Sequence, residues 1–359
     1  MDRVVAPFSL GTRSIGPGFP CFIMAEAGVN HNGDLDRALE LVRQAKMAGA
    51  DCVKFQTFKA EELVTATAPK ADYQLKVTDP QESQLAMLKK LELPKKDFET
   101  IKKACEKEGI LFLSTPYCFS DIDLLNEIGV AGFKVASGQL TEPPFLAYMA
   151  GKKKPMILST GMGSLNDIQE ALDTIRKAGH PPVAVLQCTT NYPSSLSDTN
   201  LRAMPAMAGA LQVPIGYSDH TIGQTAILGA VALGACIIEK HFTLDKHLPG
   251  PDHACSMEPA DFKAMVAAVR DMEKTLGSDR KEPSAAEIQN AKGMKRSIVT
   301  AQRIPKGTRI TAAMLTFKRP ATGMAPREFD RIVGQLAACD IPADTLLTSA
   351  MVEPVKANV

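Results

Sequence analysis

The stretch PIGYSDHTIGQTAILGAVALGACIIEKHFTLDKHLPGPDHACSM, residues 214–257, decides how the chain is read. Two apolar runs, PIGYSDH (214–220) and IIEKHFT (237–243), flank GQTAILGAVALGA (223–235), a segment of helical composition. This is a strand–helix–strand unit in which each run carries an imidazole near its end, His220 and His241. Neighbouring parallel strands lie about 4.8 Å apart, so histidines at equal depth would stand side by side at one rim. Imidazole is the commonest side-chain ligand of a catalytic divalent metal. Two such ligands with the other positions open suit a labile Mn²⁺ or Mg²⁺ ion that polarises a substrate oxygen.

The same pattern extends outward along the chain. FIMAEAG (22–28), CVKFQTF (52–58), ILFLSTP (110–116), GFKVAS (132–137), PMILST (155–160) and VAVLQCT (183–189) are six further candidate buried strands. Helical segments at 34–50, 94–109, 166–179 and 261–277 separate or follow them, several ending in Gly as a helix C-terminus should. Eight strands alternating with helices predict a (β/α)₈ TIM barrel, an α/β fold whose active site lies at the C-terminal strand ends. Polar residues gather at those ends: Glu26, Lys54, Gln56, Ser114, Thr115, Lys134, Ser137, Ser159, Thr160, Thr189, Thr190, Ser218, Asp219, His220, Glu239 and His241. Residues 59–93 form a long connection that would cover the barrel mouth, and Gly- and Pro-rich residues 1–20 suit a hairpin lead-in. The expected organisation is a catalytic barrel over 1–276, a polar linker over 277–293 and a small β-rich domain over 294–359.

Composition narrows the function. A net charge of +1 over 359 residues leaves no global field for nucleic acid or an anionic membrane. Eight scattered cysteines without a CxxC pair, and no secretory signal, predict a reducing, cytoplasmic setting. The longest apolar stretch, 226–238, is shorter than the about 20 residues needed to cross a bilayer.

A lysine within an apolar strand is rarely buried without a partner. Lys54 and Lys134 therefore pair with carboxylates such as Glu26 or Glu239, or clamp an anion with nearby hydroxyls, or supply a Schiff-base amine. Two lysines among many hydroxyls fit a dianion better than a Schiff base. Glu26 is either the partner of Lys54 or an acid/base group. Asp252, in the loop LPGPDHACS, would reach a metal-bound water or a sugar hydroxyl, or serve only its turn.

The segments AEAGVNHNG, GADCVKFQT, LSTPY, FKVASGQ, ILSTGM, LQCTTNYP, IGYSDHT, IEKHFTLD and PGPDH, in this order, resemble the signature segments of the sialic acid synthase family. RSIVTAQRIPKGTRITAAMLTFKRP resembles that family's C-terminal antifreeze-like (SAF) domain. The resemblance implies condensation of phosphoenolpyruvate with an N-acylated hexosamine, with C–O cleavage and release of phosphate. It implies a metal on His220 and His241, and phosphoenolpyruvate on Lys54, Thr115, Lys134, Ser137, Thr190 and Ser218. It makes Glu26 and Asp252 catalytic, with Asp252, Gln56, Gln139 and Tyr192 at the sugar. It also implies a domain-swapped homodimer in which Arg319 of the SAF domain reaches the acyl group of the acceptor on the other subunit. Gln139 stands where many members have Asp or Glu, and Thr190 where some have Asn or Ser. N-acetylmannosamine, giving N-acetylneuraminic acid, is the first expected acceptor; a 2,4-diacetamido-trideoxy hexose, giving a legionaminic-type acid, is the second. The rival readings are a metal-dependent barrel hydrolase or lyase and a carbohydrate-binding protein.

Overall fold

Period-two alternation along short apolar runs builds the architecture, which a computed structural model describes for residues 5–353. Strands β1 (Phe8–Leu10) and β2 (Arg13–Ile15) pair as an antiparallel hairpin. Eight parallel strands follow: β3 (Phe22–Gly28), β4 (Cys52–Thr57), β5 (Leu111–Pro116), β6 (Phe133–Val135), β7 (Met156–Ser159), β8 (Val183–Cys188), β9 (Ile215–Asp219) and β10 (Ile237–His241). Their order is β5-β4-β3-β10-β9-β8-β7-β6, and β6 closes toward β5 to give a nearly complete TIM barrel.

One set of alternate residues, including Ile23, Val53, Phe133, Val185, Tyr217 and Ile238, packs outward against the helices. The other set points inward. At the N-terminal end of the barrel it is apolar: Phe22, Met24, Cys52, Leu113, Ile157, Ala184, Leu186 and Ile237, joined by Leu10 and Ile15 of the hairpin. The lead-in thus acts as a plug, burying Leu10 and Ile15 completely at the barrel floor with Phe8 half-buried beside them.

Helices occupy the expected segments, with caps legible in the residues. Asp34 accepts from the N–H groups of Asp36 and Arg37 to start Leu35–Met47, and Gly109 (φ +67°) ends Lys95–Glu108. Three further helices, Phe119–Glu127, Pro143–Ala150 and Ala203–Leu211, complete the ring. The first is short, and prolines at the start of the other two mask them, although proline is tolerated in a first helical turn. The connection 59–93 is not plain loop, since it folds into Ala60–Leu63, Asp72–Val77 and Gln84–Lys89.

The chain forms two compact units, Met1–Gly277 and Ser278–Val359. Part of the expected linker is helical: Ala285–Met294 is started by a reciprocal capping box between Ser284 and Glu287. Polar composition hid it, because none of its residues is buried. In the second unit β11 (Ser297–Thr300) pairs with β12 (Leu315–Lys318) over a core of Ile298, Ile304, Ile310, Ile332, Ile341 and Leu347. Positions 1–4 and 354–359, within the expected 1–276 and 294–359 domains, lie outside the described residues. Among the described residues no helix is long and apolar enough to cross a membrane.

Truncating the plug tests this packing. Leu10→Ala removes a fully buried side chain and is expected to cost about 3 kcal/mol in urea unfolding. A loss near zero would mean that the hairpin does not seal the barrel.

Candidate active site

Two residues beyond the apolar floor, the inward positions turn polar. Met24 is followed by Glu26, Cys52 by Lys54, Leu113 by Thr115, Ile157 by Ser159 and Leu186 by Cys188. Gly216 is followed by Ser218 and His220, and Ile237 by Glu239 and His241. With Lys134 from β6, these polar residues line one cavity of roughly 340 Å³ at the C-terminal ends of the strands.

A cross-barrel ion pair spans the cavity. Glu239 on β10 places one carboxylate oxygen 3.3 Å from the Lys54 ammonium and the other 3.3 Å from the Lys134 ammonium. All three side chains are at least 95% buried. Lys54 also meets Glu26 at 2.5 Å and donates to Thr115 Oγ1 at 3.0 Å. Lys134 donates to Ser159 Oγ at 2.6 Å and to the Val135 carbonyl at 3.1 Å.

These neighbours sort the acids. Burial pushes the Glu26 carboxyl up to about 7, opposed by the Lys54 ammonium and reinforced by Glu239. For Glu239 the burial effect is overcome by Lys134 and Lys54, with help from the Ser218 hydroxyl, and the group is held at about 2. Burial would weaken the Lys54 ammonium, but Glu26 and Glu239 outweigh it and hold it above its ordinary value. Burial prevails at Lys134 and moves it down. The arrangement thus has one firmly ionised carboxylate, Glu239, and one poised near neutrality, Glu26.

Above these charges stand the histidines. The register pairing Lys240 with Asp219 brings His241 level with His220, and their rings lie 5.2 Å apart. His220 Nδ1 is 2.7 Å from the Thr189 carbonyl, so it carries the proton and leaves Nε2 for a ligand. Burial opposes a charge on His220, but the Cys188 sulfur and the Thr189 carbonyl favour it and raise the group. His241 is held well below its ordinary value by burial and then by the charge of His220. Its Nδ1 is buried with no hydrogen-bond partner, and Asp252 Oδ2, at 3.9 Å, is too far to supply one. A neutral, unpartnered imidazole beside a second one suits an open divalent site. Among the described residues no group of three or more His, Cys, Asp or Glu forms a closed metal cage.

The expected sugar residues divide. Glu26, Gln56 and Asp252 converge around Gly28, where an added Cβ would lie 3.2 to 3.7 Å from all three side chains. Gly28 has φ +52° at a bulge between β3 and β4, which lets the chain pass beneath them. Gln56 Nε2 donates to Glu26 Oε1 at 3.2 Å, and burial lifts Asp252 to about 6. Tyr192 covers His220, with ring centres 4.2 Å apart. Ser137 and Thr190 face each other across Gly161, whose Cβ would fall 2.0 Å from Thr190 Oγ1 and 2.9 Å from Ser137 Oγ. Thr190 Oγ1 is buried without a partner. Gln139 departs from expectation: its side-chain carbonyl accepts from the Ala136 N–H at 3.1 Å, and it is not among the residues lining the cavity. It caps the short turn Ser137–Gln139 that ends β6. Arg319 directly follows β12 in the second unit.

The NeuB family model matches residues 41–281, and the SAF domain model matches 295–353. The chain belongs to the NeuB family. It is 45% identical to N,N'-diacetyllegionaminic acid synthase of Legionella pneumophila over 94% of this chain and 96% of that protein. It is 34% identical to human N-acetylneuraminate-9-phosphate synthase over 95% of each. The solved N-acetylneuraminic acid synthetase of Leptospira borgpetersenii, in complex with citrate, superposes with a TM-score of 0.72 at 35% identity, covering 81% of this chain and 96% of that one.

In the sequence of this NeuB barrel, Glu239 of IIEKH reads as one of the polar residues at the strand ends and as a lysine partner, and its central position is hidden. Its inward parity with Ile237 and His241 is the signal that could have found it. Tyr73, Tyr117 and Cys188 also line the cavity; Tyr117 and Cys188 fall within the segments LSTPY and LQCTTNYP without a role assigned to them, and no motif marks Tyr73. Glu239→Gln leaves two buried ammoniums short of a partner and is expected to lower stability by about 3 kcal/mol at pH 7. Because Glu239 is depressed from 4.5 to about 2, its contribution is full above pH 4.5 and lost as pH falls through 2. The gap between wild type and variant in denaturant unfolding should therefore narrow with acidification, and a pH-independent gap would contradict the assignment.

Proposed function

We propose that this NeuB chain is an enzyme that condenses phosphoenolpyruvate with the open-chain form of an N-acylated hexosamine, adding water and releasing phosphate. The observation that carries the reading is the juxtaposition, in one cavity, of two buried lysines among hydroxyls with a pair of histidines above them, of which His241 leaves its Nδ1 without a partner. A hydrolase or lyase working on the same histidines would have no need of this anion site.

Lys54 and Lys134, with Thr115, Ser137, Thr190 and Ser218, hold the phosphate and carboxylate groups of phosphoenolpyruvate. Glu239 keeps both ammoniums charged and aimed. Glu26, whose ionised form burial disfavours, is the partner that yields its Lys54 donor to the incoming anion. His220 and His241 would hold Mn²⁺ or Mg²⁺, which supplies Lewis-acid polarisation of the aldehyde oxygen. The C2–C3 π pair of phosphoenolpyruvate bonds C3 to the aldehyde carbon while the C=O π pair moves onto the aldehyde oxygen. That oxygen takes a proton from solvent to become a hydroxyl, and positive charge is left at C2. Water then adds at C2, and Glu26, poised near neutrality, takes its proton. The C2–O bond to phosphate breaks, giving a 2-keto-3-deoxy acid and inorganic phosphate. Holding both substrates in one geometry accounts for much of the acceleration. Asp252, Gln56 and Tyr192 orient the sugar. In a domain-swapped homodimer, Arg319 of the other subunit would reach the acyl group.

The favoured acceptor is a 2,4-diacetamido-2,4,6-trideoxymannose, giving a legionaminic-type acid. Its support is the 45% identity to a N,N'-diacetyllegionaminic acid synthase across nearly the full length of both chains. The first expectation, N-acetylmannosamine, has weaker support, and its phosphate ester rests on the 34% identity to the human enzyme.

Phosphate release from phosphoenolpyruvate with Mn²⁺ tests the reading, with the diacetamido sugar and N-acetylmannosamine offered in parallel. Release is expected to be faster with the diacetamido sugar. EDTA should abolish it, and His220→Ala should lower it by at least about 100-fold. Silence with both sugars and with other acylated hexosamines would overturn the proposal.

A further inference from the structure

Asp252 is set into the cavity by its backbone. Among the described residues no protein donor reaches its carboxylate, and His241 Nδ1 stands off at 3.9 Å. Asp252 rides on a long loop, 244–256, that leaves β10 and returns where Met257 bridges Phe242. A loop of this length does not hold a side chain in one place unless it is tied down.

The tie comes from the turn after β3, VNHNG (29–33). Asn30 is buried, and its Nδ2 donates to the Phe242 carbonyl and to Ser256 Oγ, both at 2.9 Å. Its Oδ1 has no partner, so the amide serves the loop by donation alone. Ser256 Oγ in turn donates to the Asp252 carbonyl at 2.6 Å, beside a weaker contact from Cys255 Sγ at 3.2 Å. A carbonyl can only accept, so the relay has one direction, from Asn30 to Ser256 and from Ser256 to Asp252. Asn32 holds the other side of the loop, donating to the Pro249 carbonyl at 2.7 Å and meeting His253 Nε2 at 3.2 Å. His253 is fully buried, with Nδ1 2.6 Å from Thr243 Oγ1. Gly250 lets loop and turn meet this closely, since a Cβ there would fall 2.8 Å from the His253 ring and 2.9 Å from Asn32 Oδ1.

β3 and its turn thus supply both halves of one arrangement. The strand carries Glu26 and Gly28, and the turn fixes the loop whose carboxylate lies over Gly28. Neither Asn30 nor Ser256 lines the cavity. We propose that Asn30, acting through Ser256, is the positioning residue of Asp252: it sets that carboxylate beside Glu26 and Gln56 and so governs how the acceptor sugar is oriented. The proposal rests on the condensation reading above.

A double-mutant cycle on the full-length protein tests this, read by phosphate release from phosphoenolpyruvate with Mn²⁺ and 2,4-diacetamido-2,4,6-trideoxymannose. Ser256→Ala removes the relay hydroxyl, and Asn30→Ala is made independently in case the first variant fails to fold. Misplacing an orienting group by a fraction of an ångström to 1 Å is expected to lower kcat/KM for the sugar by roughly 10- to 100-fold. The affinity for phosphoenolpyruvate alone, measured by calorimetry, should stay unchanged. In an Asp252→Ala background the same substitution should alter the sugar's kcat/KM by no more than about 2-fold, because the group it positions is gone. Equal losses in both backgrounds overturn the proposal, as does a matching loss of phosphoenolpyruvate affinity or an unimpaired Ser256→Ala enzyme. Were Asp252→Ala to release no phosphate, a loss confined to the sugar in the single variants would support the role and a loss shared by both substrates would overturn it. Failure of both single variants to fold would assign the pair to folding alone and overturn it too. No release by the wild type with this or any other acylated hexosamine would overturn the condensation reading, and the positioning role with it.

Discussion

The cavity depends on one carboxylate. Glu239 reaches across the barrel from β10 and sets one oxygen against Lys54 of β4 and the other against Lys134 of β6. A buried charge without a partner costs several kcal/mol, so without Glu239 Lys134 would lose its only carboxylate partner among the described residues and Lys54 would be left with Glu26 alone. With it, two ammoniums remain in a low-dielectric cavity, where their attraction for an anion is far stronger than in water. Glu26 completes the balance, yet burial and the proximity of Glu239 keep it near neutrality. In the proposed reaction Glu26 would yield Lys54 to an incoming anion while Glu239 stays paired with both lysines.

The geometry that makes this possible is period two. Each inward run begins with apolar residues that fill the barrel floor against the Leu10 and Ile15 plug, then turns polar two residues later. The floor supplies stability and the rim supplies chemistry, on the same faces of the same strands. The histidine pair arises the same way, since a register that pairs Lys240 with Asp219 leaves His241 level with His220. Lys240 and Asp219 point outward and satisfy one another at 2.7 Å, so two charges beside the metal-type pair play no part in the cavity.

Much of this was legible in the residues. Eight apolar runs, the ends of five helices, and the convergence of Lys54, Lys134, Glu26, Asp252 and the histidines followed from alternation and from the rule that barrel sites lie at C-terminal strand ends. The failures are equally specific. Gln139 reads as a polar residue after a strand, but a short turn folds its amide back onto Ala136, a local hydrogen bond that spacing does not reveal. Leu63 and Leu88, which also line the cavity, sit in an insertion whose composition is mostly polar, and only tertiary packing gathers them. The capping box at Ser284 was visible but lay in a segment with no apolar stripe to announce a helix.

In the proposed reaction the lysine-rich floor serves attack by water at C2 of phosphoenolpyruvate, with the sugar held above. Turnover of phosphoenolpyruvate carrying ¹⁸O in its bridging C2–O–P position tests this most directly, read by the isotope shift in the ³¹P spectrum of the product. Cleavage of the C–O bond predicts that the released phosphate retains the label. Unlabelled phosphate would mean that the P–O bond breaks, and would contradict the role assigned to Glu26 and the water it deprotonates.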